Sequence, residues 1–342
     1  MKKNKSFYLL IIGILVGIFA FSGCTNHNNS DAKNIQQDTK DPTPEKFSVV
    51  ESQEPTLTEV DWSNYFEGLT GTAIVYDPTE KNYMIYNKEL ALTQRSPCST
   101  FKIISSLIGL ENGIIDPDNS VRPWSGEIFW NEDWNRDINF SDAFRTSCVW
   151  YFRQVTDDIG KVKMQNELNK LKYGNCDISD WEGKLNTNNN NRALTGFWIE
   201  SSLKISPKEQ VEVMERIFGT DSTYSERTQN ILKQVMLISE ENNTEISIYG
   251  KTGMGKAEGI VVDAWFTGFA ETLEGNKYFC VYLGQSDAGN TSSTAAKEIA
   301  IQILNDKMTI RYPIKIASDS HRLGDFFIVI FCQIILFFYY VL

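Results

Sequence analysis

PCSTFKIISSLIGLENG, residues 97–113, sets a serine and a lysine three apart, Ser99 and Lys102, at the head of an apolar run. Ile103, Ile104, Leu107, Ile108 and Leu110 recur at the spacing of a buried helix, and Gly113 is suited to end it. Three apart, Ser99 and Lys102 share one face of the helix's first turn. Such a position serves a nucleophile, because free backbone NH groups and the helix dipole favour the negative charge that develops in acyl transfer. The same spacing recurs in Ser201-Ser202-Leu203-Lys204, so the pattern alone does not choose between the two.

Outward from this helix, GTAIVYD (71–77) and NYMIYN (82–87) flank a Pro/Thr/Glu/Lys turn and predict a hairpin. On the far side, 246–250, 261–270 and 278–283 are strand candidates, and a helix is predicted over 292–305. The middle is mostly helical. One helix start is well marked, with Ser206 as cap, Pro207 at the first position, Glu209 three beyond the cap, and Val211, Met214 and Phe218 on one face before Gly219. Strands at both ends with helices between predict an α+β fold. Its antiparallel β-sheet is completed by the N- and C-terminal segments and flanked by helices, beside a mostly helical subdomain. The predicted domain spans 57–310; no repeat is evident, and 188–191 is a polar loop.

The whole chain has 342 residues, 42% of them hydrophobic, which suffices for a large core. Its formal charge is −11 with no basic block, which disfavours nucleic acid as a partner. The two histidines, His27 and His321, lie outside 57–310, so a general base must come from another residue type. Six cysteines (Cys24, Cys98, Cys148, Cys176, Cys280 and Cys332) form no CxxC pair and no Cys/His cluster, so the spacing writes no metal site.

Lys2, Lys3 and Lys5, the apolar run 7–21 and Phe21-Ser22-Gly23-Cys24 predict a lipoprotein signal peptide over 1–23, with Cys24 lipidated. An uncleaved anchor and an ordinary cleaved signal are the alternatives, and all three place the rest of the chain outside the cytoplasm. The expected location is the extracytoplasmic face of the cell membrane, through the N-terminal lipid. Three lysines and no acids leave with 1–23, taking the charge from −11 to −14, which suits a domain held off an anionic membrane. Residues 24–56, rich in Asn, Asp, Gln, Lys, Pro and Ser, read as a flexible tether. Residues 311–342 form an atypical tail whose apolar segment, 326–342, at about 1.5 Å per helical residue barely spans a bilayer. A tail anchor, a translated frame error and a packed segment all stay open for it.

Three further motifs follow Ser99-Thr100-Phe101-Lys102 in order: Ser147-Cys148-Val149, Tyr173-Gly174-Asn175 and Lys251-Thr252-Gly253. Each alone is near noise, but the ordered set is specific. Together they resemble the serine β-lactamases and penicillin-binding proteins, and most closely the class D (oxacillinase-type) β-lactamases. Phe101, Val149 and the Tyr-Gly-Asn triplet mark that class. Ser147-Cys148-Val149-Trp150-Tyr151, Phe197-Trp198-Ile199-Glu200, Leu203-Lys204-Ile205-Ser206-Pro207 and Ala264-Trp265-Phe266-Thr267-Gly268 are also similar to it, so the resemblance covers about 60–306.

The resemblance implies β-lactam hydrolysis, and with it β-lactam resistance, through an acyl-enzyme on Ser99. A lysine amine, with an ordinary pKa of about 10.4, is a base at neutral pH only when apolar burial disfavours its charge. The family implies more: Lys102 takes up carbon dioxide, from CO2/bicarbonate, as a carbamate that is the base for acylation and deacylation. No separate cofactor is implied. Phe101 and Val149 would line its pocket and Trp198 would donate its indole NH. Backbone NH groups of Ser99 and Met254 would form the oxyanion hole, and Ser147 with Lys251 would pass a proton to the leaving nitrogen. Thr252 and Lys251 would face the substrate carboxylate, with Gly253, Met254, Tyr173 and Asn175 completing the substrate-binding set.

Two features depart from the family. No arginine stands in 293–299 to grip the substrate carboxylate, which leaves Thr252 and Lys251, or Lys297 if it points inward. Cys98, Cys148 and Cys176 each touch a motif; their pairing is not legible, and free small apolar side chains are the simpler reading. Among other functions, a β-lactam sensor domain that is acylated without turnover shares these motifs. A D,D-peptidase is weakened by Val149 where asparagine is common, and a solute-binding lipoprotein by the four ordered motifs. Oligomeric state and substrate range are not legible.

Overall fold

The structure, a computed structural model, describes residues 54–185, 190–238, 246–286 and 291–308. The signal peptide, Cys24, nearly all of the tether, part of the polar loop at 188–191 and the tail over 311–342 lie outside the described residues. Among the described residues no helix is long and apolar enough to cross a membrane.

Among the described residues six strands form one sheet: β1 (Thr56–Glu59), β2 (Gly71–Asp77), β3 (Asn82–Tyr86), β4 (Ser247–Ala257), β5 (Ile260–Thr272) and β6 (Gly275–Gly284), in the order β1-β3-β2-β6-β5-β4. The two ends of the domain meet where β2 pairs antiparallel with β6, Thr72 opposite Tyr282. The predicted hairpin is β2–β3. One strand departs from the antiparallel expectation: β1 runs parallel to β3. It is fully exposed and has no apolar pattern to announce it; the hydroxyls of Thr56 and Thr58 donate to Asn82 Oδ1 at 2.9 and 3.0 Å and fix its register.

The helices, among the described residues, are α1 (Ser63–Phe66), α2 (Lys88–Ala91), α3 (Lys102–Glu111), α4 (Phe140–Arg145), α5 (Val149–Ile159), α6 (Lys161–Leu171), α7 (Pro207–Phe218), α8 (Glu226–Met236) and α9 (Ser293–Met308). The marked start of α7 is a full capping box: Ser206 Oγ accepts from Glu209 N at 3.2 Å and Ser206 N donates to Glu209 Oε2 at 2.7 Å. Such a cap stabilises a helix by about 1 kcal/mol.

Both faces of the sheet are covered, which explains why β2, β5 and β6 read as unbroken apolar runs. Along β2, Ile74 and Tyr76 join the larger core with α3, α5 and α7, while Ala73 and Val75 join a second core with α9. Along β6, Cys280 and Tyr282 face the first and Phe279 and Val281 the second. This alternation is the period of two of a pleated strand. The sheet is thereby fixed between two packed layers, and β4, at its end, borders the helical side of the molecule.

Candidate active site

Ser99 lies in a 3₁₀ turn, Cys98–Phe101, that leads into α3. Cys98 takes φ +50°, a left-handed conformation that costs of order 1 kcal/mol or more for a residue with a Cβ. The turn is held from two sides. Cys98 N and Ser96 Oγ both donate to Trp198 O, at 3.0 and 3.1 Å, and Trp265 Nε1 donates to Ser96 O at 3.0 Å. The competing Ser-x-x-Lys at 201–204 is not helical: Ser201 Oγ donates to Asp180 Oδ2 at 2.5 Å and Ser202 Oγ to Asp177 O at 2.9 Å. Geometry therefore chooses Ser99 and Lys102.

Lys102 Nζ lies 2.8 Å from Ser99 Oγ, and the lysine is only 1% exposed. Its ammonium is 5.6 Å from the Phe152 ring, and Phe101, one residue before it, stacks on Trp198 at 5.6 Å between centroids. Burial pulls the Lys102 pKa down to about 8. Cys148 and Cys98 lie close enough to oppose that shift as thiolates, but burial pushes both thiols up, Cys148 to about 11, so at neutral pH neither is charged. All four cysteines among the described residues, Cys98, Cys148, Cys176 and Cys280, are free.

Ser147 sits between α4 and α5 at φ +58°. Trp134 Nε1 donates to Thr146 O at 3.1 Å and Trp150 Nε1 to Trp134 O at 3.0 Å, so two indoles hold that turn. Across the cleft Lys251 on β4 reaches Ser147: its Nζ is 3.1 Å from Ser147 Oγ and 3.1 Å from Thr252 O. Burial, and then the charge of Lys102, pull the Lys251 pKa well below its ordinary value. Two buried lysines thus approach two serines, and each is more easily deprotonated than a solvated lysine.

β4 packs on the nucleophile's turn through glycines. A Cβ on Gly253 would lie 3.0 Å from Pro97 O and 3.2 Å from Thr100 N, and one on Gly255 would lie 2.9 Å from Cys98 Sγ. Together with Gly250 these residues interrupt the strand's apolar pattern, so the strand expected over 246–250 runs on to Ala257.

A cleft of about 530 Å³ opens here. Ser99, Ser147, Val149, Thr252, Gly253 and Met254, all predicted site residues, line it, with Lys102 and Lys251 buried beneath. Tyr173 and Asn175 do not reach it, which corrects the expectation that both bind substrate. Tyr173 is fully buried, edge-on to Phe101 at 5.6 Å. Asn175 Oδ1 accepts from Lys204 N at 2.9 Å and from Asp177 N at 3.1 Å, and Asn175 Nδ2 donates to Ser202 O at 2.9 Å. Gly174, at φ +51°, lies so close that a Cβ would fall 1.9 Å from Lys204 O. The triplet is thus a clamp on 202–205, whose Ile205 pairs with Arg95 just ahead of the nucleophile's turn.

Sequence reasoning missed Trp130, Trp134, Leu194, Ile199, Glu200 and Lys256, which complete the walls. Only Ile199 and Glu200 carried a signal, as neighbours of Trp198. From α9 the cleft receives Ser293 and not Lys297.

The chain matches the penicillin-binding protein transpeptidase domain over residues 70–305. It is 31% identical over 249 residues to the probable β-lactamase YbxI of Bacillus subtilis, covering 72% of this chain and 85% of that protein. The chain belongs to the penicillin-binding transpeptidase family, in its class D β-lactamase branch. A crystal structure of a class D β-lactamase from Sebaldella termitidis shares this branch's fold with a TM-score of 0.65 and 27% identity, covering 75% of this chain and all of that one. The regulatory protein BlaR1 of Bacillus licheniformis is 30% identical over 250 residues, 72% of this chain, but the match spans only 39% of that longer protein. The chain is thus about equally similar to the probable β-lactamase YbxI and to the regulatory protein BlaR1.

Proposed function

We propose that the chain hydrolyses β-lactam antibiotics through an acyl-enzyme on Ser99, conferring resistance to them. The observation that carries this reading is the buried lysine amine of Lys102 in hydrogen-bond contact with Ser99 Oγ. A neutral amine in an apolar surround is what reaction with carbon dioxide requires, and the uncharged thiols of Cys148 and Cys98 and the Phe152 ring near Lys102, with Phe101 stacked on Trp198 beside it, supply such a surround. Once formed, that group supplies a carboxylate-type base at the end of the lysine side chain.

The Lys102 side chain takes the proton of Ser99 Oγ, which attacks the lactam carbonyl. Backbone NH groups of Ser99 and Met254 receive the carbonyl oxygen as it gains charge. Ser147, with Lys251 behind it, passes a proton to the lactam nitrogen as the C–N bond breaks. Thr252 and Lys251 face the substrate carboxylate. Deacylation repeats the first step with water in place of Ser99: the Lys102 side chain, its first proton passed on to Ser147, takes one from the water that attacks the ester carbonyl and returns it to Ser99 Oγ as the acyl C–O bond breaks.

Purified protein should turn over a chromogenic cephalosporin many times per active site, faster with added bicarbonate, and Ser99→Ala should abolish turnover. Lys204→Ala should retain it. A single stoichiometric acylation without turnover would move the reading to a β-lactam sensor domain, which the BlaR1 match favours. Anchoring of the protein through a lipid on Cys24, on the extracytoplasmic face of the membrane, is part of the same proposal, carried by the signal-like sequence alone.

A further inference from the structure

Three residues with a Cβ line the cleft at positive φ: Cys98, Ser147 and Glu200. The first two flank or carry the chemistry already described. Glu200, at φ +50°, is held in the same unfavourable conformation with no role yet given to it. Strain of this kind persists only where the surroundings over-determine it, and it concentrates at working sites.

Two sets of contacts meet at Glu200. On one side Ser96 Oγ accepts from Glu200 N at 2.8 Å and itself donates to Trp198 O, so 198–200 is stitched to the residues just ahead of Ser99. On the other, Glu200 Oε1 accepts from Lys256 N at 2.7 Å. That backbone NH stands at the one place where β4 slips against β5: Gly255 faces Asp263 but Lys256 faces Val261. A slip of this kind disrupts the ladder locally, and here a carboxylate takes the NH at the disruption in a charge-assisted hydrogen bond.

We propose that Glu200 is a positioning residue for acylation: its carboxylate ties β4, at Lys256, to the turn that carries Ser99, and so sets the spacing between the backbone NH groups of Ser99 and Met254. Met254 is two residues from the tie. Gly253 and Gly255 bring β4 against the turn by shape; Glu200 holds it there by a directed bond. The left-handed backbone at Glu200 is what lets one residue face Ser96 with its NH and β4 with its side chain. The inference rests on the acyl-enzyme reading, but needs only acylation and not hydrolysis.

The test is the rate of covalent labelling of the full-length protein by a fluorescent penicillin, followed to saturation so that the limiting acylation rate and the penicillin's dissociation constant separate. Glu200→Ala should lower the limiting rate about tenfold or more with the dissociation constant little changed. Glu200→Gln, which keeps the acceptor oxygen, should recover most of that rate. Glu200→Gly removes the carboxylate while relieving the backbone, so it should label as slowly as Glu200→Ala yet melt no lower. Wild-type labelling rates in the alanine and glycine variants, or a glutamine variant as slow as alanine, would overturn the proposal. Parent protein that takes no label, or takes it equally after Ser99→Ala, would instead remove the acyl-enzyme reading itself.

Discussion

Lys251 Nζ lies 3.1 Å from Ser147 Oγ, joining β4 to the turn between α4 and α5 across the cleft. In the proposed reaction this pair works beside the Ser99–Lys102 pair and serves the leaving nitrogen. Ser147→Ala and Lys251→Ala should each slow acylation, by roughly the 10²–10⁴-fold typical of a lost proton-transfer group. Because the two act as one unit, the double variant should be little slower than the worse single one. Multiplying effects in pre-steady-state acylation rates would show instead that the two residues act separately.

Lys102 ties activity to an unfavourable burial. Its pKa falls from 10.5 in a solvated lysine to about 8 in the fold. Between those values the unfolded chain binds the proton and the folded chain does not, so stability rises with pH across that window. Below about 8 both states are protonated and the cost of burying the charge is fully present. At about 1.4 kcal/mol per unit this amounts to a few kcal/mol. In bicarbonate-free buffer at about pH 6 to 7, Lys102→Met should therefore melt several degrees higher than the parent while losing all turnover. Its advantage should shrink as the pH rises past about 8. Equal melting temperatures throughout would contradict the assignment.

Gly253 has no room for a side chain against the turn of Ser99. Gly253→Ala should push β4 and that turn apart by a few tenths of an ångström. Misplacement of reacting groups on the scale of 1 Å costs about 10²-fold, so a fall of about tenfold in kcat/KM is expected with a modest loss of melting temperature. Steady-state kinetics with thermal melting decides it; unchanged kcat/KM would mean the turn moves freely.

Tyr173 separates a core role from a substrate role. Its hydroxyl is buried beside Thr100 and Gln210, which hydrogen-bond each other at 2.9 Å, and makes no well-formed hydrogen bond of its own, so Tyr173→Phe should leave turnover within about twofold of the parent and stability nearly unchanged. Asn175→Ala, which breaks two hydrogen bonds to the 202–205 segment and one to Asp177, should cost about 1–3 kcal/mol in chemical denaturation. A selective rise in KM for Tyr173→Phe would return that residue to substrate binding.

What could be read in the chain divides along physical lines. The strands β2, β5 and β6 were legible because burial on both faces leaves unbroken apolar runs. The start of α7 was legible because a capping box is local. Ser99, Lys102, Ser147 and Lys251 were visible as an ordered set of motifs, although only packing shows that Lys102 is buried and that Lys251 reaches Ser147. The parallel edge strand β1 was not legible, since exposed threonines carry no period. The clamp at Tyr173-Gly174-Asn175 was misread because a motif records that residues recur together, not whether they face substrate or backbone. Glu200 carries no signal of its own in the sequence, because its bond to Lys256 N joins positions 56 apart.

The pairing of β2 with β6 also fixes when the protein can become itself. Tyr76 sits opposite Tyr278 and Thr72 opposite Tyr282, so the central seam of the sheet joins residues about 200 positions apart. Loop closure over such a span is slow, and contacts of this range dominate the folding time of a domain. Ser99 and Lys102 leave the ribosome early, while Lys251 on β4, and after it β5 and β6, follow much later. A nascent chain short of Gly284 lacks a complete β6, the strand through which β5 and β4 join the rest of the sheet, so the turn of Ser99 has no fixed wall until that seam closes.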